Sequence, residues 1–138
     1  VLPQPESLED FRQRVAAALP PTAHGVRVAG DPTRTIQTVA VSGGAGDSYL
    51  THVRRAGVDA YLTADLRHHP SSELREHDDA PALLDVAHWA SEWPWLADAA
   101  ERLVQALRAR GTTVEAHIST VCTDPWLEHI PSQGGSEL

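Results

Sequence analysis

Between Pro81 and His88 the chain runs Ala82-Leu-Leu-Asp-Val-Ala87, too short for a globular helix and apolar at nearly every position. A strand that is apolar on both faces must be covered on both faces, which is the situation inside a parallel sheet flanked by helices. The surrounding sequence supplies such cover. A helix is predicted from Leu8 to Leu19, with Ser7 as N-cap, Asp10 three residues on, a stripe of Leu8, Phe11, Val15 and Leu19, and Pro20-Pro21 as terminator. Gly25–Ala29 and Ile36–Val41 read as strands about a turn at Asp31-Pro32, expected to pair as neighbours. Gly43-Gly-Ala-Gly46 leads into a helix capped at Asp47 or Ser48 and ended at Gly57. Val58–Thr63 is a further strand and Pro70–His77 a short helix. Leu96, Ala100, Leu103 and Leu107 mark a long helix, and Val114–Val121 a last strand. Pro94 leaves two openings for that long helix: Ser91 caps it, or His88–Glu92 forms a kinked lead-in.

This alternation predicts one α/β domain over residues 1–126, with 127–138 as a flexible tail. Its sheet is mixed, mainly parallel, of about five strands, flanked by the Leu8–Leu19 and Leu96–Leu107 helices. Loops at the strand C-terminal ends form the functional edge of such a sheet. Gly43–Gly46, Ala64–His69 and His88 all fall there.

At 138 residues the chain fits a single domain. A formal charge of −8, with Arg but no Lys, opposes tight non-specific binding to nucleic acid or an anionic membrane. No apolar run approaches the roughly 20 residues needed to span a bilayer. The single Cys122 has no internal disulfide partner, which points to a reducing cytoplasm and to a small buried apolar side chain. The chain opens on Val1 and contains no Met, consistent with trimming or with a piece of a longer protein.

The chemistry concentrates in Asp85-Val-Ala-His-Trp-Ala-Ser-Glu92. Residues i and i+4 of a helix share a face, with Cβ atoms roughly 5–6 Å apart, so His88 and Glu92 can bind one metal ion or two adjacent ones. Imidazole and carboxylate suit Zn, Mn or Fe, but a catalytic site needs about three protein donors, and by spacing alone most His/Glu pairs of this kind are surface pairs or caps. Gly43, Gly44 and Gly46 either aim N–H groups at an anionic substrate or form a tight turn; the P-loop and dinucleotide motifs are not met. His69 is a candidate for the cleft and for proton transfer, or a hydrogen-bonded loop histidine, with His68 a solvated neighbour. Asp65 either orients His69 from behind or caps the following helix. Trp89, Trp93 and Trp95 read as packing or interface residues, and His24, His52, His77, His117 and His129 as structural or solvated. Ser42, Ser48 and Ser119 have no local base, so a hydrolase triad is unsupported.

Three blocks, Val39-Ala-Val-Ser-Gly-Gly-Ala-Gly46, Val58-Asp-Ala-Tyr-Leu-Thr-Ala-Asp-Leu-Arg-His-His69 and Ala87-His-Trp-Ala-Ser-Glu92, resemble in order and spacing the Nif-three-like proteins. These are also called GTP cyclohydrolase type 2 homologues or dinuclear metal centre hexameric proteins. The resemblance covers about Leu2 to Trp126 and is to the C-terminal half of the family fold. It implies that His88 and Glu92 are metal ligands, that two divalent ions occupy the complete site, and that a His pair and an Asp from a missing N-terminal half complete it. A homo-oligomer, possibly a hexamer, is implied as well. His68-His69-Pro70 is similar to that half's histidine motif but follows the C-terminal half's own block, where Gly is more usual than Ala64.

Two functions follow. One is metal-dependent hydrolysis of a nucleotide or other phosphorylated small molecule, the substrate itself being unspecified. The other is a non-enzymatic metal-binding or regulatory scaffold, which turnover of a defined substrate would distinguish. With two donors, the isolated chain is expected to bind metal weakly and to lack hydrolase activity.

Overall fold

The computed structural model describes residues 1–132; positions 133–138 of the expected tail lie outside the described residues. In chain order the elements are β1 (Glu6–Ser7), α1 (Leu8–Ala18), β2 (Val26–Ala29), β3 (Thr35–Ile36), β4 (Val39–Ala45), α2 (Leu50–Arg55), β5 (Ala60–Ala64), α3 (His68–Arg75), β6 (Ala82–Val86), α4 (His88–Glu92) and α5 (Trp95–Arg108). The main sheet has four strands in the order β2-β6-β5-β4, and β1 and β3 form a separate two-residue antiparallel ladder. β4, β5 and β6 are parallel, and β2 runs antiparallel to β6.

β6 is buried at all five positions, as its sequence requires. Side-chain alternation splits its neighbours between two cores. Ala60, Ala82, Leu84 and Val86 meet Leu8, Phe11 and Val15 of α1, whereas Tyr61 and Leu83 meet Leu50 and Val53 of α2 and Leu74 of α3. α1 begins where predicted because the Ser7 hydroxyl accepts the Asp10 N–H at 3.1 Å and donates to its carboxylate at 2.7 Å.

Asp85 is the charged interruption in β6. Only 5% exposed, it faces its cross-strand partner Arg27, whose guanidinium bonds Oδ2. Oδ2 also lies 3.1 Å from His24 Nε2, and Oδ1 accepts the Leu66 N–H at 2.9 Å.

Several expectations need correction. Gly25–Ala29 and Ile36–Val41 are not neighbours: β2 and β4 occupy opposite edges of the sheet. The Asp31-Pro32 turn delivers the chain to Thr35–Ile36, which pairs with β1, and the Arg27–Asp85 contact fixes β2 against β6. β4 continues through Gly43-Gly44-Ala45, with a register shift against β5 between Val41 and Ala45. Asp47 caps no helix with its side chain, because its carboxylate accepts the Arg67 N–H and pairs with the Arg67 guanidinium. Val114–Val121 forms no strand; residues 112–132 lack regular secondary structure, and a strand's N–H and C=O groups need a ladder partner that the described residues do not provide. α5 does not flank the sheet with a buried face: none of its residues is buried, and Leu96 and Leu103 are exposed. Cys122 is exposed, since it lies in that irregular segment. No helix among the described residues is long and apolar enough to cross a membrane.

Asp59 sets the register at the start of β4 and β5. Its Oδ2 accepts from the Gln37 N–H, the Thr38 N–H and the Thr38 hydroxyl at 3.0, 2.7 and 2.8 Å. Burial pushes its carboxyl upward, but these bonds, those of Thr38 foremost, outweigh it and hold it below its ordinary value. A depressed carboxyl stabilises the fold above the unfolded-state pKa, and that stabilisation is lost as pH falls through the folded-state value. Asp59→Asn is therefore expected to cost about 1–2 kcal/mol at neutral pH in urea unfolding. The gap from the parent should close below roughly pH 4; a gap independent of pH would assign the loss to shape instead of charge.

Candidate metal site

The three parallel strands end together, and the candidate groups stand at those ends. Past Val86, Ala87 is extended and His88 opens α4, one turn of helix that carries Glu92 on the same face. His88 Nε2 lies 3.4 Å from Glu92 Oε2. Past Ala64, Asp65 adopts φ 56°, a left-handed conformation uncommon outside glycine. It is held there from the next residue, whose N–H is the Leu66 donor to Asp85. Asp65 Oδ2 lies 2.6 Å from His88 Nδ1.

The Asp65 hydrogen bond is the main influence raising the His88 pKa; slight burial opposes it and the Glu92 charge adds to it. With Nδ1 donating to Asp65, the neutral ring presents the Nε2 lone pair beside Glu92, the orientation used when an imidazole binds a metal. All three side chains are about half exposed. Ion pairs this open contribute roughly 0.2–1 kcal/mol, so stability alone is a weak reason for the arrangement.

The end of β4 packs under this pair. Gly44 has φ 71°, and a Cβ there would sit 2.8 Å from Glu92 Oε1 and 3.2 Å from His88 Nε2. Its N–H donates to Ser91 Oγ at 2.8 Å, and its carbonyl accepts from the Thr63 hydroxyl at 3.0 Å. The Gly46 N–H donates to the Ala64 carbonyl, and its own carbonyl accepts from Tyr61 Oη. A Cβ at Gly46 would collide with Thr63 Oγ1 and Tyr61 Oη. The glycines thus admit close approach on both sides, and two of their N–H groups are already donated within the chain.

His88, Glu92 and Asp65 line a cavity of about 440 Å³ together with His24 and Asp124. A neighbouring cavity of about 690 Å³, lined by Trp89, Trp93, Trp95 and Gly43, shares Glu92 with it. His69 lines neither cavity; it is exposed in the first turn of α3, its ring edge-on to His68 at 5.3 Å between centroids. Asp65 engages His88 instead of His69. Sequence reasoning read His24 as structural or solvated, and it does contact Asp85, but its place on this cavity and that of Asp124 were not foreseen. The Asp-Pro turn at 124–125 was a usable local signal for the second, and nothing local marked the first.

Among the described residues no group of three or more His, Cys, Asp or Glu side chains converges as a metal cage. The donor chemistry of His88 and Glu92, with Asp65 behind the ring and Gly44 giving way below, fits a divalent ion as two of its ligands.

The sequence pattern described as Duf34/NIF3 (NGG1p interacting factor 3) matches residues 1–125. The chain belongs to the Duf34/NIF3 family. Among its relatives, a GTP cyclohydrolase 1 type 2 homolog of Streptomyces coelicolor is 53% identical over 131 residues, covering 95% of this chain and 46% of that protein. A protein of the same description from Mycobacterium tuberculosis is 55% identical over 130 residues, covering 93% and 33%. The crystal structure of a Bacillus cereus protein related to NIF3 superposes with a TM-score of 0.79 at 25% identity, over 91% of this chain and 34% of that one. Staphylococcus aureus protein SA1388 superposes with a TM-score of 0.80 at 25% identity, over 94% and 40%. This Duf34/NIF3 chain therefore spans less than half the length of these relatives.

Gly44→Ala is expected to lower stability by about 1–2 kcal/mol through its left-handed backbone, and to displace the Glu92 carboxylate. Gly43→Ala, where the Cβ would lie 3.3 Å from the Ser91 carbonyl at an ordinary φ, should cost less. Denaturation midpoints of the two variants check the order; equal losses would remove the special role given to Gly44.

Proposed function

We propose that this chain contributes His88 and Glu92 to a two-ion centre whose remaining ligands come from the other part of a full-length family protein. The reaction proposed is metal-dependent hydrolysis of a nucleotide or another phosphorylated small molecule. The observation that carries this reading is the Asp65–His88–Glu92 arrangement on an open cavity, with Gly44 making room beneath the donor atoms. The family relatives described as GTP cyclohydrolase 1 type 2 homologs make GTP the first substrate to test.

A bound pair of divalent ions supplies positive charge that polarises the bond under attack and acidifies a water molecule. The chain's own residues prepare for this. Asp65 holds the His88 ring so that Nε2 faces the Glu92 side. Glu92 brings the negative charge that a cation requires, and a carboxylate can serve one ion or bridge two. Gly44 leaves room for the donor atoms themselves, since a Cβ there would sit 2.8 Å from Glu92 Oε1 and 3.2 Å from His88 Nε2. His69 has no part in this proposal, because it lines neither cavity.

The scaffold reading draws support from the uncovered Leu96 and Leu103 on α5. Turnover separates the two: hydrolysis of GTP or another nucleotide that stops on chelation supports the enzyme, and metal retention without turnover across a nucleotide panel supports the scaffold.

In the full-length protein, His88→Ala and Glu92→Gln are each expected to at least halve the bound metal per protein, measured by elemental analysis. Unchanged stoichiometry in both variants would reject the ligand assignment.

A further inference from the structure

A serine inside a helix commonly turns its hydroxyl back on a carbonyl three or four residues earlier, and Ser91 does so, donating to the His88 carbonyl at 2.7 Å. That bond uses the proton and leaves the oxygen able to accept. The acceptor does not cap α5, which starts behind Pro94 without a side-chain cap. It is used across the fold, by the Gly44 N–H at 2.8 Å.

Gly44 has need of that partner. Past Val41 the register of β4 against β5 shifts, so a regular ladder does not hold this stretch of strand. Two hydroxyls hold Gly44 instead, Ser91 at its N–H and Thr63 at its carbonyl, and Thr63 is itself fully buried in β5. A hydrogen-bonded path therefore runs from the interior of the sheet, through Gly44 and Ser91, to the backbone of His88.

The donors are sensitive to where this path ends. A Cβ at Gly44 would already press on Glu92 Oε1 and His88 Nε2, so a small shift of β4 against α4 changes the room they have. α4, which carries both, is a single turn of five residues with no side-chain N-cap, and a turn that short has little stability of its own. Asp65 fixes the His88 ring at Nδ1, whereas the Glu92 carboxylate meets only His88 Nε2, at 3.4 Å, among the described residues. Where Glu92 stands thus depends on how α4 is held against β4, and Ser91 is the side chain that ties them.

We propose that Ser91 is a positioning residue of the metal site, its hydroxyl locking α4 to Gly44 and so setting the separation of His88 Nε2 and the Glu92 carboxylate at which they take a divalent cation. This rests on the metal reading above. Groups that orient metal ligands from behind typically change metal affinity by about 10–100-fold when removed.

The test is Mn²⁺ titration of the full-length protein by calorimetry, with thermal melting of every variant. Ser91→Ala, which leaves the Gly44 N–H to water, is expected to weaken Mn²⁺ binding about tenfold or more. Ser91→Thr, which keeps the hydroxyl, should retain parent-like affinity, and His88→Ala should lose it. Ser7→Ala removes the cap of α1, a helix that carries none of the site's residues, and should melt early yet bind Mn²⁺ like the parent. Affinity in Ser91→Ala no lower than in Ser7→Ala, with affinity lost in His88→Ala, overturns this proposal and leaves the metal reading standing. Parent-like affinity in all of these variants overturns both. Binding as weak in Ser91→Thr as in Ser91→Ala also overturns the proposal, because the loss would not follow the hydroxyl. If Ser91→Ala does not fold, Ser91→Cys, close in size but weak as donor and acceptor, replaces it, and the same outcomes decide.

Discussion

The Asp85 carboxylate is the interaction on which the other parts of this structure depend. It sits inside the most apolar strand of the chain, and a charge there is tolerable only if its lone pairs are used. They are used by three different parts of the chain. Arg27 ties down the antiparallel edge strand, His24 the segment leading into it, and the Leu66 N–H the loop that leaves β5. Sheet order and loop conformation are therefore consequences of satisfying one buried group. Removing it would leave the Leu66 N–H without its acceptor and free the residue before it, Asp65, from its left-handed turn.

From there the candidate site follows by chain connectivity. β5 and β6 are parallel, so their C-terminal ends lie side by side, and the first turns beyond them bring Asp65 to His88. β4 ends on the other side of β5, where the glycines pass under Glu92 with no side chain of their own to obstruct it. Tyr61 and Thr63 hold that passage in place from inside the sheet through the Gly46 and Gly44 carbonyls. A half-exposed cluster of polar groups thus rests on buried, fully bonded ones.

What could be read in advance was local. The Ser7–Asp10 cap, the Leu8–Phe11–Val15 stripe, the apolar run of β6 and the i, i+4 relation of His88 and Glu92 each depend on residues close in sequence, and each has its counterpart in the structure. The pairing of β2 with β6 was not legible, because its determinant, Arg27 with Asp85, joins residues 58 apart. Val114–Val121 had strand-like alternation without a strand to pair with, and periodicity does not reveal a missing ladder. The α5 stripe was real as a pattern but finds no cover among the described residues. His24, read as structural or solvated, and Asp124, marked locally only by its Asp-Pro turn, are brought to the cavity by the fold.

β4 is an edge strand of the main sheet, and Val41 on it is exposed. An open edge with a free row of N–H and C=O groups is a template for pairing with another chain. Here the second half of the strand is irregular: its register shifts after Val41, its glycines have weak strand propensity, and the Gly44 N–H turns to Ser91. The glycines that make room for Glu92 therefore also shorten the run of flat backbone on which a stray strand could grow. Substitutions that regularised this edge would remove two things together, the space beside the donors and a barrier to aggregation.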